Sequence, residues 1–490
     1  MSERLALAAI LILAAALRFH DLDRNAYWND EFASLVASNG QLVWANEPRP
    51  GTFPASRPRP TRIADALPIP QIAYALVEDN HPPLYFLVLR GWRALFGDEE
   101  RATRSLSVLA SLAALAIFFD AVRLLLGGAA AAWASLLLAL ALPDIALARE
   151  TRSYSLLLVF LMAAVGALAR LETRGAGKPR AVALAVAACA AMLTHYFAAF
   201  ALGPLAVYAC LRLDKPSRRL ALLAFAAAAV VFLAAWGPFA WHSRQIAVEN
   251  ADWLGAVGEM PAAQTLGRLA GLPWRLLAGP IWAQTPGAPW PVLFYAGAIA
   301  IVWRRPRAQL WFVLFVGVIG CVVALDLWRE TRQLVVIRYV LPALPALCAL
   351  IAAPASAAGG WKRHLLPAGA ALALAFNLPA AYPAGETAWR RWAWAFDRAA
   401  KPGEPLVLTF RDREMPLFYK AANHYGEAPR PIVVLLRHPS TLALSRLPRS
   451  GYFWLATEAD PLALIPGSRI ESRLRRPMAP PTYRLTLMPE

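Results

Sequence analysis

Long apolar runs separated by short basic stretches dominate the chain, and run length decides what each can become. A helix rises about 1.5 Å per residue, so roughly 20 apolar residues are needed to cross a hydrocarbon core of about 30 Å. The first run, Leu5 to Leu17, follows Arg4 and contains Ala14-Ala15-Ala16, a pattern shared with cleavable signal peptides. Because Arg18 and an aromatic follow at once and many runs come later, it reads as an uncleaved first span running inside to outside. The run Leu84 to Phe96 is too short to cross: its 13 residues carry Arg90 and Arg93 at i, i+3. It predicts an amphipathic helix lying in the interface.

That reading fixes the direction of every later run. The predicted spans are 104–124, 130–148, 153–169, 181–194, 197–211, 220–241, 291–303, 309–325, 339–353 and 364–380, alternately inward and outward. With the first they make eleven, the N-terminus inside and the C-terminal tail outside. Short loops assigned inside carry Arg170, Arg174, Lys178 and Arg180, then Arg212, Lys215, Arg218 and Arg219, then Arg304, Arg305 and Arg307, then Lys362 and Arg363. The outside turn near His195 carries none, as the positive-inside tendency requires. Several runs are shorter than a straight crossing, and Ala181–Leu211 also reads as one long helix.

Two stretches lie outside this pattern. Residues 21–103 form a first external loop with interfacial helices, in which the Pro/Arg-rich stretch Pro48 to Arg62 has no apolar periodicity and reads as loop. From Pro383 the pattern changes to short segments. Leu406–Phe410, Ile432–Leu436, Tyr452–Thr457 and Tyr483–Leu487 read as strands, and Met415–Ala422 as a helix. The expected fold is mainly α: a polytopic transmembrane bundle over residues 1–382 and a small external α/β domain over 383–490.

Composition agrees with the pattern. The 490 residues are 58% hydrophobic and 17% charged, with a mean hydropathy of +0.44, too apolar for a soluble multidomain protein. The net charge of +17 is spread between apolar runs, which suits loops facing anionic headgroups and argues against a nucleic-acid partner. Cys189, Cys210, Cys321 and Cys348 lie inside apolar runs, with neither metal spacing nor a disulfide framework. No glycine-rich nucleotide loop stands in the chain.

On this topology the unusual polar residues gather at the outer ends of spans. Tyr27-Trp28-Asn29-Asp30-Glu31 places two carboxylates where the chain leaves the first span. His81, Glu150 between Arg149 and Arg152, Thr194-His195-Tyr196 and Arg338-Tyr339 fall on the same side. Each has a plainer reading: a solvated loop start, an ion-paired span end, a capped turn, an interface anchor. Asp144 beside Pro143 reads as a third carboxylate or as a side chain satisfying the backbone that proline opens. A transporter would carry such groups near the midplane with repeated halves, and no repeat is present.

Arg18-Phe19, Trp28-Asn29-Asp30-Glu31 with Ser34, His81-Pro82-Pro83-Leu84-Tyr85, Arg149-Glu150-Thr151-Arg152-Ser153-Tyr154, Thr194-His195-Tyr196-Phe197 and Arg338-Tyr339-Val340-Leu341-Pro342 occur in that order. Together they resemble the polytopic C-type glycosyltransferases that use polyprenyl-phosphate-linked sugars, the bacterial relatives of protein O-mannosyltransferases and lipid A aminoarabinose transferases. The resemblance implies inverting transfer of a sugar from a lipid phosphate to an acceptor hydroxyl of protein, lipid or glycan, at the external face of the bacterial inner membrane. It implies Asp30 as general base and Glu31 as an orienting acid. His81, Glu150, Arg152, Tyr154, His195, Tyr196, Arg338 and Tyr339 would bind the donor and its phosphate, with Arg338 neutralising the leaving group. Some relatives carry an acid where this chain has Asn80, so no metal site is assigned and the divalent-metal requirement stays open. The alternatives are a flippase or transporter of a lipid-linked sugar, and a non-catalytic membrane assembly protein.

Overall fold

The computed structural model describes residues 2–43, 51–54, 59–249, 262–279, 291–331, 333–357, 360–382, 388–410, 415–426, 430–436, 452–457, 460–474 and 481–487. In chain order the first helices are α1 (Glu3–Phe19), α2 (Asn29–Ser38), α3 (Gln71–Asp79), α4 (Leu84–Phe96), α5 (Glu100–Leu126) and α6 (Gly128–Leu140). Then come α7 (Leu142–Ala148), α8 (Tyr154–Arg174), α9 (Lys178–Thr194), α10 (Ala198–Arg212) and α11 (Lys215–Glu249). Chain contacts divide the molecule into two units. One comprises Met1–Leu22, Asn80–Trp92 and Arg101–Pro383; the other comprises Asp23–Asp79, Arg93–Glu100 and Ala384–Glu490.

The first unit is a helical bundle, and each of the eleven apolar runs is helical within it. By length and composition five described helices can cross a membrane: Glu100–Leu126, Tyr154–Arg174, Lys215–Ser243, Pro306–Arg329 and Trp361–Ala381. The pair α6–α7, bent by 62°, makes a sixth if counted as one span. The protein is therefore an integral, multi-pass membrane protein. The sequence count of eleven is higher because it admits short apolar helices such as Ala198–Arg212, which reach across only where the bilayer thins locally. Ala181–Leu211 is not one helix: α9 and α10 are separated at residues 195–197. Between α5 and α6, Gly127 turns the chain at φ 87°, a left-handed conformation that favours glycine.

The bend between α6 and α7 is held by a buried guanidinium. Arg18 is fully buried; its Nη2 donates to Asp144 Oδ2 at 2.5 Å, its Nε to Ser111 Oγ at 2.9 Å and its Nη1 to Ala139 O at 3.1 Å. Ser111 Oγ donates to the same Asp144 oxygen at 3.2 Å. Asp144 thus serves an ion pair; it is neither a third carboxylate of the site nor a cap for a backbone opened by Pro143. Burial makes the pairing compulsory, since an isolated charge in this interior is far costlier than a paired one.

The second unit is built on a six-stranded sheet: β1 (Gly51–Pro54), β2 (Leu406–Phe410), β3 (Pro431–Leu436), β4 (Tyr452–Ala456), β5 (Ser468–Leu474) and β6 (Thr482–Leu487). The order is β1-β3-β2-β4-β6-β5, with β2 parallel to β3 and β4 and the other pairs antiparallel. Alternate side chains serve two faces, as the strand period demands. Leu406, Leu408, Ile432, Val434 and Trp454 pack in one cluster with Tyr27, Phe32, Leu35, Trp392 and Phe418, while Val407, Val433, Phe453, Leu455 and Leu485 form another. Four strands match the sequence reading closely. Gly51–Pro54, read as loop, pairs antiparallel with β3; residues 48–50 and 55–58 of that stretch lie outside the described residues. β5 escaped notice because it is an edge strand whose side chains are mostly exposed, so it shows no alternation.

The C-terminal residues thus fold with part of the segment 21–103 that the sequence assigned to the transmembrane module. Hydrogen bonds explain why. Arg390 donates to Glu100 Oε1 at 2.9 Å and to the carbonyls of Asp23 and Arg24. Tyr425 donates to the same Glu100 oxygen at 2.6 Å and accepts from Tyr27 N at 3.1 Å. Trp389 Nε1 donates to Tyr27 O at 2.8 Å. At the other end of α2, Arg93 reaches Leu35 O, Ser38 Oγ, Asn39 Oδ1, Thr61 O and Asp98 Oδ1. Arg93 is 1% exposed, so it does not face lipid headgroups as the amphipathic reading of α4 supposed; it closes the Leu35 carbonyl in the last turn of α2.

Breaking either buried pair should be costly. Arg18→Met and Arg390→Met should each destabilise by about 3–5 kcal/mol, because a carboxylate is left buried alone. Thermal unfolding of the purified protein measures both. For the second variant, amide exchange across residues 23–38 should accelerate, and unchanged exchange there would contradict the strapping described.

Candidate active site

Asp30 and Glu31 lie in the first turn of α2. Trp28 opens the helix, and Glu31, fully buried, folds back to accept the Trp28 N–H at 3.2 Å. That arrangement satisfies one of the amides at the helix start, so Glu31 caps α2. Asp30 is half-buried, and its carbonyl accepts the Ser34 hydroxyl at 3.0 Å. The neighbouring Asn29 Oδ1 accepts from Lys420 Nζ at 2.6 Å. Beneath them Tyr27 and Phe32 meet the His424 ring edge-on, at 5.3 and 5.7 Å. Burial, with the charges of Arg62, Arg93 and Arg59, holds His424 well below its usual proton affinity.

The remaining predicted residues belong to the other unit, where three loops build a cluster. The first is 149–153, between α7 and α8. Arg149 Nη2 grips the His20 and Asp21 carbonyls at 2.8 and 2.9 Å, and Thr151 Oγ1 meets Thr103 Oγ1 at 3.0 Å. Ser107 Oγ donates to Arg152 O at 3.2 Å. Arg152, 5% exposed, extends its guanidinium to His81 Nε2 at 3.4 Å and lies 5.9 Å from the Tyr154 ring. Glu150 is half-buried in the same loop, its carbonyl accepting Arg152 N.

The second loop is the break between α9 and α10. Thr194 Oγ1 bonds back to Ala190 O at 2.7 Å as the helix ends, and the Phe197 N–H donates to His195 Nδ1 at 3.1 Å. The imidazole therefore caps the turn, as the plainer sequence reading held, and with Nδ1 accepting, the proton of the neutral ring sits on Nε2. The ring stays neutral: burial, reinforced by the charges of His81, Arg152 and Arg338, holds His195 well below the usual 6.5. His195 meets the rings of His81 at 5.7 Å and Tyr154 at 5.6 Å.

The third loop follows helix Gln309–Arg329. Glu330 turns left-handed at φ 54°, and Asp326 gathers the chain by accepting Gln333 N at 2.7 Å, Leu334 N at 2.9 Å and Thr331 Oγ1 at 2.9 Å. The short helix Ile337–Val340 then presents Arg338, 8% exposed, and Tyr339, whose ring stacks on Phe197 at 4.9 Å. His81 itself follows Asn80, which is left-handed at φ 54° after α3. Asparagine tolerates that conformation, so Asn80 has a backbone role at the position where relatives were expected to carry an acid.

His81, Arg152, Tyr154, His195, Arg338 and Tyr339 are thus joined in one cluster. Tyr196 points elsewhere, its hydroxyl accepting from Trp236 Nε1 of α11 at 2.8 Å. Sequence reasoning missed Phe197 as the stacking platform and Arg18 with Asp144 as the staple of the α6–α7 bend. A stronger signal for the latter was available in a charged pair lying within apolar runs.

Residues 80–241 match the family described as dolichyl-phosphate-mannose-protein mannosyltransferase. No curated protein matches the chain significantly. Among solved structures, ArnT from Cupriavidus metallidurans in the apo state aligns over 98% of this chain and 97% of its own, with a TM-score of 0.56 at 16% identity. The same protein bound to undecaprenyl phosphate gives 0.55 at 15% identity, with the same coverage. An oligosaccharyltransferase from Archaeoglobus fulgidus, tethered to an acceptor peptide, aligns over 86% of this chain and 63% of its own, with a TM-score of 0.50 at 12% identity. Residues 80–241 thus resemble the mannosyltransferase family in sequence, and over almost its whole length the chain shares the fold of ArnT.

Proposed function

We propose that this protein transfers a sugar from a polyprenyl-phosphate carrier to an acceptor hydroxyl at the external face of the bacterial inner membrane, with inversion. The observation that carries the reading is the convergence of two buried guanidinium groups, Arg152 and Arg338, on the His81–His195 pair. Clustered cations with planar donors suit a phosphate, and the Nε2–H of a neutral His195 adds a donor without adding charge. Tyr154, Phe197 and Tyr339 offer aromatic faces beside them. Undecaprenyl phosphate bound to the structurally similar ArnT supports a carrier of that class.

In the proposed reaction Asp30 accepts the acceptor's hydroxyl proton, and the freed oxygen attacks the anomeric carbon. The bond from that carbon to the phosphate oxygen breaks, and its electron pair leaves with the polyprenyl phosphate. Arg152 and Arg338 stabilise the charge that develops there, the term on which displacement of a phosphate depends most. Glu31 positions α2 through the Trp28 amide. A flippase reading has less behind it, since the paired and stacked residues sit at loop-bounded helix ends and no repeated halves are present.

Asp30→Asn should fold and insert normally yet lose transfer by about a hundredfold or more, the usual contribution of a general base. Mass analysis of envelope glycans and glycolipids in a strain lacking the protein, complemented by wild type or variant, makes the test. Normal modification by Asp30→Asn would refute the assignment. A pH effect follows from His195. Its folded-state proton affinity lies below the unfolded 6.5, so the stability of the neutral ring is fully present above that value and lost as pH falls. Between about pH 7 and about pH 5 the unfolding temperature of wild type should drop further than that of His195→Gln.

A further inference from the structure

The helix that ends at His195 carries a second feature at its other end. Between α8 and α9 runs an open groove of about 730 Å³, walled by Val159, Phe160, Ala163, Val182 and Val186, with Lys178 at its mouth. Val182 and Val186 are 61% and 63% exposed, so the groove lies on the outer surface of the unit. Its walls are apolar apart from Lys178. Arg174, at the end of α8, stands beside that mouth in the chain, and both cations are exposed.

Nearby acids are committed elsewhere. Glu172 accepts the Tyr208 hydroxyl at 2.9 Å, and Asp120 pairs with Arg123 and Arg170. Among the described residues neither Lys178 nor Arg174 forms an ion pair. Depth fits a single leaflet: Lys178 to Ala187 rises about 13 Å along the helix, against about 15 Å for half a hydrocarbon core. His195 lies about 25 Å beyond Lys178 on the same helix, so these cations are remote from the cluster that would hold a donor phosphate.

We propose that this groove binds one anionic phospholipid of the bilayer, an acyl chain lying along Val182 and Val186 and the phosphate held by Lys178 and Arg174. Basic residues at the mouth of an apolar interhelical groove supply the two elements such a lipid needs, hydrocarbon contact and charge at headgroup depth. The site is independent of the transferase reading, since it requires only that α8 and α9 lie in the membrane.

The full-length protein in detergent, titrated with phosphatidylglycerol or phosphatidylcholine and analysed by native mass spectrometry, tests this. Wild type should retain one phosphatidylglycerol with about tenfold preference. Val182→Trp fills the groove and Lys178→Glu reverses the charge at its mouth. Both positions are exposed, so each variant should keep the wild-type unfolding temperature and lose the preference. Equal retention of the two lipids, or an unchanged preference in Lys178→Glu, would overturn the proposal. So would one-for-one displacement of phosphatidylglycerol by undecaprenyl phosphate, which would give the groove to the carrier lipid.

Discussion

A guanidinium withdrawn from water must have its donors satisfied, and much of this structure follows from that requirement. Arg18, Arg93 and Arg390 are each almost wholly buried, and each ties together segments far apart in sequence. Arg18 fixes the bend after α6, from which the loop bearing Arg152 continues. Arg93 gathers the end of α2, and Arg390 fixes the strand of chain leading into it. The residues proposed for chemistry are thus held by neighbours that have no part in the reaction.

Buried arginines also shape the electrostatics of both units. Arg18 and Arg390 are matched to the carboxylates of Asp144 and Glu100, so their charge is answered within the protein. Burial, with the charges of His81, Arg152 and Arg338, holds down the proton affinity of His195, and a positive field lies there among aromatic rings. A phosphate is the natural complement of such a field. The neutral imidazole fits that picture, because it donates a hydrogen bond without adding a further charge.

How much of this was legible from sequence depended on which physical signal each element leaves. Helices in the bundle announce themselves by apolar length, so α4 was bounded to the residue and each apolar run proved helical. The polar residues at their ends were found because charge in an apolar chain is conspicuous. What the pattern hid were contacts made by buried polar atoms. Arg93 sits at i, i+3 from Arg90 and so mimics a solvated stripe, yet its five acceptors come from α2 and the loops around it. β1 is only four residues long and carries Gly51 and Pro54, which read as turn, and the edge strand β5 lacks alternation because its side chains are mostly exposed. Tyr196 shared a turn with His195 but was taken by Trp236, a choice only the third dimension records.

The central claim is that the lipid-linked sugar is consumed. Purified protein reconstituted in vesicles with a labelled polyprenyl-phosphate sugar and a hydroxyl acceptor gives the most direct measurement: free polyprenyl phosphate and labelled acceptor followed together. The account predicts that both appear in equal amounts and only when acceptor is present. Movement of intact labelled lipid between leaflets, with no release of polyprenyl phosphate, would contradict it.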